Sequence, residues 1–258
     1  MQFISVETRD RVTTITLQRP EVMNAINPSM HQELQAAFDA FAADPAAMIC
    51  VVTGAGDRAF CAGSDLKAAA ATGDDRAPYP SSGYAGLIER FDLDKPVIAA
   101  VNGVALGGGF EIVLACDIVI ASRNATFGLP EPRVGAVALG GGVHRLVRQI
   151  GMKPAMGMLL ACQRIGADEA LRLGLVNDVV DQENLQARTR LWCDEILKAA
   201  PSSVRATKQA ALRGLGEPSL EAAMGAQEAY PAWRAWRDGG DFKEGARAFA
   251  EKRLPAWS

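Results

Sequence analysis

The stretch that most restricts how this chain folds runs from Lys95 to Glu131, KPVIAAVNGVALGGGFEIVLACDIVIASRNATFGLPE. Val97 to Val101 is a short, uninterrupted apolar run closed by Asn102-Gly103 and reads as a strand buried on both faces. A helix entered through Gly107-Gly108-Gly109 follows, and then a second buried strand, Asp117 to Ala121. The helix, Gly108 to about Ala115, carries Phe110, Ile112, Val113 and Leu114 with little polar face. A helix apolar on nearly all sides is a buried one. Glu111 in its first turn is then a partly buried acid, which is costly unless it is paired, hydrogen-bonded or protonated. The plain alternative is an exposed first-turn acid favoured by the helix dipole. Glu131, between Pro130 and Pro132 in a turn after the second strand, is another carboxylate placed where water should be scarce.

The triple glycine weighs toward a site. Glycine lets a ligand approach the backbone closely, and the first N–H groups of a helix lack internal partners and carry partial positive charge. A buried, glycine-lined helix start suits an oxyanion or a phosphate. Close packing of helix on strand also asks for glycine, but rarely for three in a row.

At 258 residues the chain is long enough for one large core with a small appendage. A net charge of −3 with few aromatics and no basic run gives no footing for nucleic acid. Cys50, Cys61, Cys116, Cys162 and Cys193 are odd in number, widely spaced and without a C-x-x-C. They read as reduced thiols of a cytoplasmic protein. His31 and His144 are the only histidines, so no metal site is expected. His31, near a helix start, reads as a surface residue. The N-terminus lacks a signal-peptide apolar run. Asn102, Glu111, Asp117 and the glycines argue against a membrane span between Pro96 and Ala121.

Along the chain, Phe3 to Glu7 and Val12 to Leu17 read as strands, and Asn27-Pro28-Ser29 opens a helix from about Met30 to Ala42 with Leu34, Ala37, Phe38 and Phe41 on one face. After the strand Met48 to Thr53, Gly54-Ala55-Gly56-Asp57-Arg58-Ala59 matches the G-x-G-x-x-A dinucleotide fingerprint. The match is weak, because no long helix opens there and no acid ends a following strand. Thr72 to Gly83 reads as a surface loop or lid, and Tyr84 to Phe91 as a helix. Gly140-Gly141-Gly142 opens another helix and reads as a packing or capping feature. Helices are expected at Lys153 to Ala161, Ala167 to Leu173 and Asn184 to Ala199, with a strand at Leu175 to Val180. Beyond Pro201, helices are expected at Ser202 to Leu215, Ser219 to Tyr230 and Gly240 to Arg253. Strand-turn-helix units recur irregularly, the echo of a ββα unit. Residues 1–200 form the expected core with the site, and 201–258 a helical region for subunit contacts and cover of the active site.

Five segments in order, LQRPEVMNAI, VVTGAGDRAFCAGSDLKA, KPVIAAVNGVALGGGFEIVLACDIVIAS, ATFGLPEPRVG and FKEGARAFAEKR, resemble the crotonase (enoyl-CoA hydratase/isomerase) superfamily over essentially the whole chain. The resemblance implies an α/β fold, a spiral of ββα turns with a C-terminal helical region, assembled as a trimer or a dimer of trimers. It implies an acyl-CoA substrate, with coenzyme A part of that substrate and no separate cofactor. It places the oxyanion hole at the backbone N–H groups of Ser64 and Gly108. Around them Ala62, Gly63, Asp65, Leu66, Gly107 and Leu139 fall near the acyl-CoA, and Phe249 and Lys252 reach CoA. Hydratases carry two glutamates at the positions of Glu111 and Glu131, simple isomerases keep one, and dehalogenase-type members use a histidine and an aspartate. Both glutamates are present, so hydration or dehydration of a 2-enoyl-CoA is implied, with Glu111 on water and Glu131 on C2. DLKAAA, GYAGLIERFDLDKP and AFAEKRLPAW look most similar to carnitinyl-CoA dehydratases. Ala136-Val137-Ala138-Leu139 stands where many hydratases carry a proline, which leaves the acyl specificity open. Isomerisation and a non-catalytic acyl-CoA-binding role are the competing expectations.

Overall fold

The computed structural model describes residues 1–66 and 79–257. They divide into two compact units, one of residues 1–90 and 97–190, the other of residues 91–96 and 191–258. The expected loop from Thr72 onward lies outside the described residues as far as Pro78.

The first unit is built from strand pairs that alternate between two sheets. The larger sheet has the order β1(Ile4–Arg9), β2(Val12–Leu17), β3(Ile49–Gly54), β5(Val97–Val101), β7(Ile118–Ser122), β10(Asp178–Val180); the smaller has the order β4(Ala59–Cys61), β6(Val104–Leu106), β8(Thr126–Gly128), β9(Ile165–Gly166). Chain order explains the pattern. β3 leads to β4, β5 to β6 and β7 to β8, so each pass deposits one strand in each sheet and then leaves to begin the next. β2, β3, β5, β7 and β10 run parallel, as do β4, β6 and β8, and only the outer pairs β1–β2 and β8–β9 are antiparallel. Every residue of β3 and β5 is buried, which is why these strands read as continuous apolar runs.

The corners between the sheets are held by amides. Asn102, at the corner from β5 to β6, donates to the carbonyls of Gly54, Gly56 and Ala59 and accepts from Gly54 N–H. Asn24 donates to Ala55 and Ala59. The segment Gly54 to Gly56 is therefore a corner of the spiral. It leads into β4, not into a helix, and the dinucleotide reading is set aside. A Cβ on Gly54 would lie 2.4 Å from the Ala59 carbonyl oxygen, so glycine serves the close corner there.

Helix α1(Pro28–Ala43) starts where expected, with Asn27 capping Met30 N–H and Pro28 in the first turn. It buries Met30, Leu34, Ala37, Phe38 and Phe41, and also His31, which corrects the surface reading of that histidine. The helix expected from Tyr84 to Phe91 is replaced by one 3-10 turn, Tyr84–Gly86. Gly83 and Gly86 have φ of +74° and +63°, and Ala85 between them has φ of +56°. A Cβ on Gly86 would sit 2.4 Å from the Gln35 Cα of α1, so this backbone is pressed against the helix in a left-handed course that an α-helix cannot follow. The central helix α2(Gly108–Ala115) is buried from Gly108 through Leu114. It is followed by α3(Gly142–Ile150), α4(Met152–Leu160) and α5(Ala167–Arg172).

α6(Leu185–Leu197) continues into the second unit, which holds α7(Pro201–Gly214), α8(Leu220–Ala226), α9(Pro231–Asp238) and α10(Asp241–Glu251). Helix α9 was not expected. Pro231 occupies its first turn, where a missing N–H costs nothing. Buried Asp241 accepts from Ser202 N–H and hydroxyl, and Gln209 accepts from Ala232 N–H. No described helix is long and apolar enough to cross a membrane.

Replacing Asn102 by Ala strands Gly54 N–H and up to three carbonyls at one buried corner. A loss of about 2–4 kcal/mol of stability is expected, read from urea unfolding; a loss within ~0.5 kcal/mol would mean that the corner does not depend on the amide.

Candidate active site

Two loops from different passes of the spiral meet at the start of α2. The first is Ala62-Gly63-Ser64-Asp65, just after β4. It is anchored to the segment before α1: Ile26 N–H donates to Gly63 O, Asp65 N–H to Ile26 O, and Ala62 N–H to Met23 O. Asp65 is also paired with Arg19 at 2.9 Å, and Arg19 donates to Ala25 O. The second loop is Gly107-Gly108-Gly109, after β6. A Cβ built on Gly63 would lie 3.2 Å from Gly108 N, so the two segments are in near contact. Among the described residues, neither Ser64 N–H nor Gly108 N–H has a hydrogen-bond acceptor.

The three glycines are needed for three separate reasons. Gly107 has φ of +55°, and a Cβ there would point at Glu131 Oε1, 3.3 Å away. A Cβ on Gly108 would meet the Tyr84 ring, and one on Gly109 would fall 2.1 Å from the Cys61 carbonyl oxygen. Close packing explains Gly109, the Tyr84 ring explains Gly108, and the left-handed turn beside a carboxylate explains Gly107.

Glu111 is only 4% exposed. Its Oε1 accepts from Gly142 N–H at 2.9 Å. Cβ atoms on Gly140 and Gly142 would lie 2.3 Å from its Oε2 and 2.9 Å from its Oε1. The second triple glycine is thus the cradle of Glu111, and not merely the cap the sequence suggested. Burial, with repulsion from Glu131, raises the Glu111 carboxyl from 4.5 to about 7 against the opposing bonds from Gly142 and Gly140. Arg145 braces the cradle, donating to Ile88 O at 2.6 Å and to Gly140 O at 3.5 Å. Glu131 opens the 3-10 turn Glu131–Val134 after β8. Its carboxyl is also pushed up, chiefly by burial, and among the described residues its buried Oε2 has no hydrogen-bond partner.

The first unit thus gathers Ala62, Gly63, Ser64, Asp65, Gly107, Gly108, Glu111 and Glu131. Leu66 and Leu139 are exposed, Leu139 to 80%. Phe249, 88% exposed on α10, and Lys252, whose φ of +53° closes that helix, belong to the second unit. An apolar groove of about 510 Å³ is lined by Leu129, Ala138, Val143, Val147, Met152 and Met156 among others. Leu129 and Ala138 also abut Gly142, within 3.1 Å and 3.0 Å of where its Cβ would be.

A family model described as enoyl-CoA hydratase/isomerase matches residues 7–258. The chain belongs to that family. It is 41% identical over 262 residues to an (E)-benzylidenesuccinyl-CoA hydratase of Thauera aromatica, covering 98% of each chain. It is 42% identical over 261 residues to a carnitinyl-CoA dehydratase of Proteus mirabilis, covering 99% of this chain and 98% of the other. An enoyl-CoA hydratase structure from Mycobacterium tuberculosis matches with a TM-score of 0.91 at 36% identity, covering 100% of this chain and 99% of the other. The ββα spiral is therefore the crotonase fold, and the chain is an enzyme of that superfamily. Tyr84, Gly140, Gly142 and Arg145 also lie about the motif residues; the sequence marks none of the four as a site residue, and reads Gly140 and Gly142 as packing or capping. For Gly140 and Gly142 a signal existed, since a second glycine triplet opening a helix repeats the pattern of the first.

The raised Glu111 carboxyl makes a stability prediction. Its folded-state value lies above the ordinary one, so between about pH 4.5 and about 7 the native state holds more protons than the unfolded state. The stability this proton contributes is full below about 4.5 and is lost as pH rises through about 7. Glu111→Gln removes the dependence while keeping the acceptor for Gly142 N–H. Relative to wild type, the variant should gain about 2–3 kcal/mol between pH 5 and pH 8, measured by urea unfolding at both. An unchanged difference would show that Glu111 ionises as freely as in water.

Proposed function

We propose that this enzyme is a hydro-lyase that adds water across the C2=C3 bond of a 2-enoyl-CoA thioester to give the 3-hydroxyacyl-CoA, or runs the reverse. The observation that carries the reading is the meeting of a buried carboxylate, Glu111, and a half-buried one, Glu131, with two backbone N–H groups that have no acceptor among the described residues. A negative charge develops on the thioester oxygen when C3 is attacked, and donors fixed in advance stabilise it at no cost of reorganisation. Ser64 N–H and Gly108 N–H are the proposed donors. Ser64 acts through its backbone.

Glu111, held by Gly142 N–H, positions the water and takes its proton as oxygen bonds to C3. Glu131, whose buried Oε2 has no hydrogen-bond partner among the described residues, delivers a proton to C2 as the enolate collapses. One water is consumed, and the proton on Glu111 restores the one Glu131 has given. Both carboxyls are displaced toward the protonated form, so a pair holding a single proton persists near neutrality, where two ordinary glutamates would both be ionised. The pair titrates as a unit, and the division of labour is part of the proposal.

The acyl group in this reading is a short or medium 2-enoyl chain, with the groove beside Gly142 as a path for its apolar end. A carnitinyl-type acyl group is the second reading, favoured by the 42% identity to the carnitinyl-CoA dehydratase. Phe249 and Lys252 are proposed as CoA contacts, in a homotrimer or a dimer of trimers.

Crotonyl-CoA mixed with the purified enzyme should lose its conjugated enoyl-thioester absorbance, and Glu111→Gln and Glu131→Gln should each slow this by about 10²–10⁴-fold while remaining folded. Rapid loss in either folded variant would remove that glutamate from the chemistry. No loss in wild type, followed by turnover of crotonobetainyl-CoA, would select the second reading.

A further inference from the structure

One side chain touches both proposed oxyanion donors. Tyr84 is buried, and its ring lies so close over Gly108 that a Cβ there would fall 2.2 Å from Tyr84 Cζ and 2.5 Å from its hydroxyl oxygen. The same hydroxyl stands 3.3 Å from Ser64 Oγ. Ser64 and Gly108 belong to different passes of the spiral, and the phenol stands between them. The three nearest atoms that a Cβ on Gly108 would meet all belong to Tyr84.

Tyr84 is itself held firmly. The His31 ring packs edge-on against it, with centroids 4.6 Å apart and planes at 81°, and Tyr79 packs edge-on at 5.5 Å. His31 Nδ1 accepts from Ala85 N–H at 2.9 Å, which needs a neutral imidazole. Burial lowers the His31 pKa to about 4, so that condition holds at any ordinary working pH. The left-handed Ala85 next in the chain is a strained conformation for a residue with a Cβ. Such strain persists only where surrounding contacts over-determine it, and it gathers at functional sites. Burial, then the neighbouring Cys61, Tyr79 and Glu111, keep the phenol protonated far beyond its ordinary range, against the Ser64 bond.

We propose that Tyr84 is a positioning residue that fixes the spacing and direction of the two backbone donors, its ring bearing on Gly108 and its hydroxyl tying Ser64. This rests on the reading that Ser64 N–H and Gly108 N–H hold the thioester oxygen. Tyr84 touches no reacting atom in this scheme. Its effect passes through the geometry of the two donors, so it acts on the transition state more than on substrate affinity.

The test uses Tyr84→Phe, Ser64→Ala and the double variant, none of which removes the ring or either backbone N–H. Isotope-edited infrared spectra of bound butyryl-CoA, labelled at the thioester carbonyl, report how strongly the donors polarise it. Steady-state hydration of crotonyl-CoA gives kcat and KM. In wild type the bound C=O stretch should lie below its value in solution. Each single variant should move it part of the way back and lower kcat about two- to tenfold, the worth of one hydrogen bond, with KM changed less than about twofold. The double variant should be no worse than the poorer single one. A Tyr84→Phe enzyme with wild-type stretch and kcat would overturn the proposal. So would a double variant whose losses multiply, since the two hydroxyls would then act apart. If the wild-type stretch does not shift on binding, the oxyanion reading itself fails and the clamp fails with it. A shift in wild type that every variant retains removes the clamp alone.

Discussion

The structure depends most on a single awkward burial, that of the Glu111 carboxylate at the start of an apolar helix. Left alone, a carboxylate at 4% exposure would be several kcal/mol too costly to keep ionised. It is accommodated by bringing backbone to it: Gly142 N–H bonds Oε1, and the absence of Cβ atoms at Gly140 and Gly142 makes the approach possible. The accommodation is incomplete. The carboxyl remains raised to about 7, and this residual imbalance is what chemistry near neutrality requires of an acid that must exchange protons.

The spiral explains why such a site can be assembled from distant residues. Each pass adds one strand to each sheet, so the loops that follow β4, β6 and β8 stack at one edge of the smaller sheet. Those loops carry Ser64, Gly108 and Glu131 respectively. The parallel pairing of β4 with β6 and of β6 with β8 fixes their relative height to within a strand spacing. Asn24 and Asn102 converge on one corner, both donating to Ala59 O. A shift of one pass against the next would separate the donors from the acids, so the amide corner contributes to catalysis only through register.

Much of this was legible in the sequence, and the reason lies in periodicity and composition. β3, β5 and β7 are long apolar runs, α1 has a cap and a clean apolar face, and α2 is apolar all round; each announces itself locally. The two carboxylates and the first glycine triplet stood out because such residues are unusual in apolar surroundings. What was not legible depends on partners far away in the chain. The strands of the small sheet are two or three residues long, too short for a periodic signal. His31 looked like a helix-surface residue because nothing nearby in sequence says that Ala85 N–H will meet it. Tyr84 to Phe91 resembled a helix because local propensity cannot foresee that Gly86 must lie against the Gln35 backbone. The role of Gly140 and Gly142 was hidden for the same reason: it is set by Glu111, on another helix.

Four features of the site share a direction. The left-handed Ala85, the neutral buried His31, the raised Glu111 and the unpartnered Glu131 oxygen each lower stability where they stand, and all lie within the first unit around the start of α2. A chain selected only for stability would replace them; a Gln at 111 would keep its bond to Gly142 and shed the ionisation cost. Their concentration in one place, against a framework of fully buried parallel strands, is the pattern expected when rigidity elsewhere supports local strain for function. It also separates two kinds of residue in the site. Asn24, Asn102 and Arg145 have hydrogen-bond partners within the protein itself. Ser64 N–H, Gly108 N–H and Glu131 Oε2 do not among the described residues, and it is these that a substrate would complete.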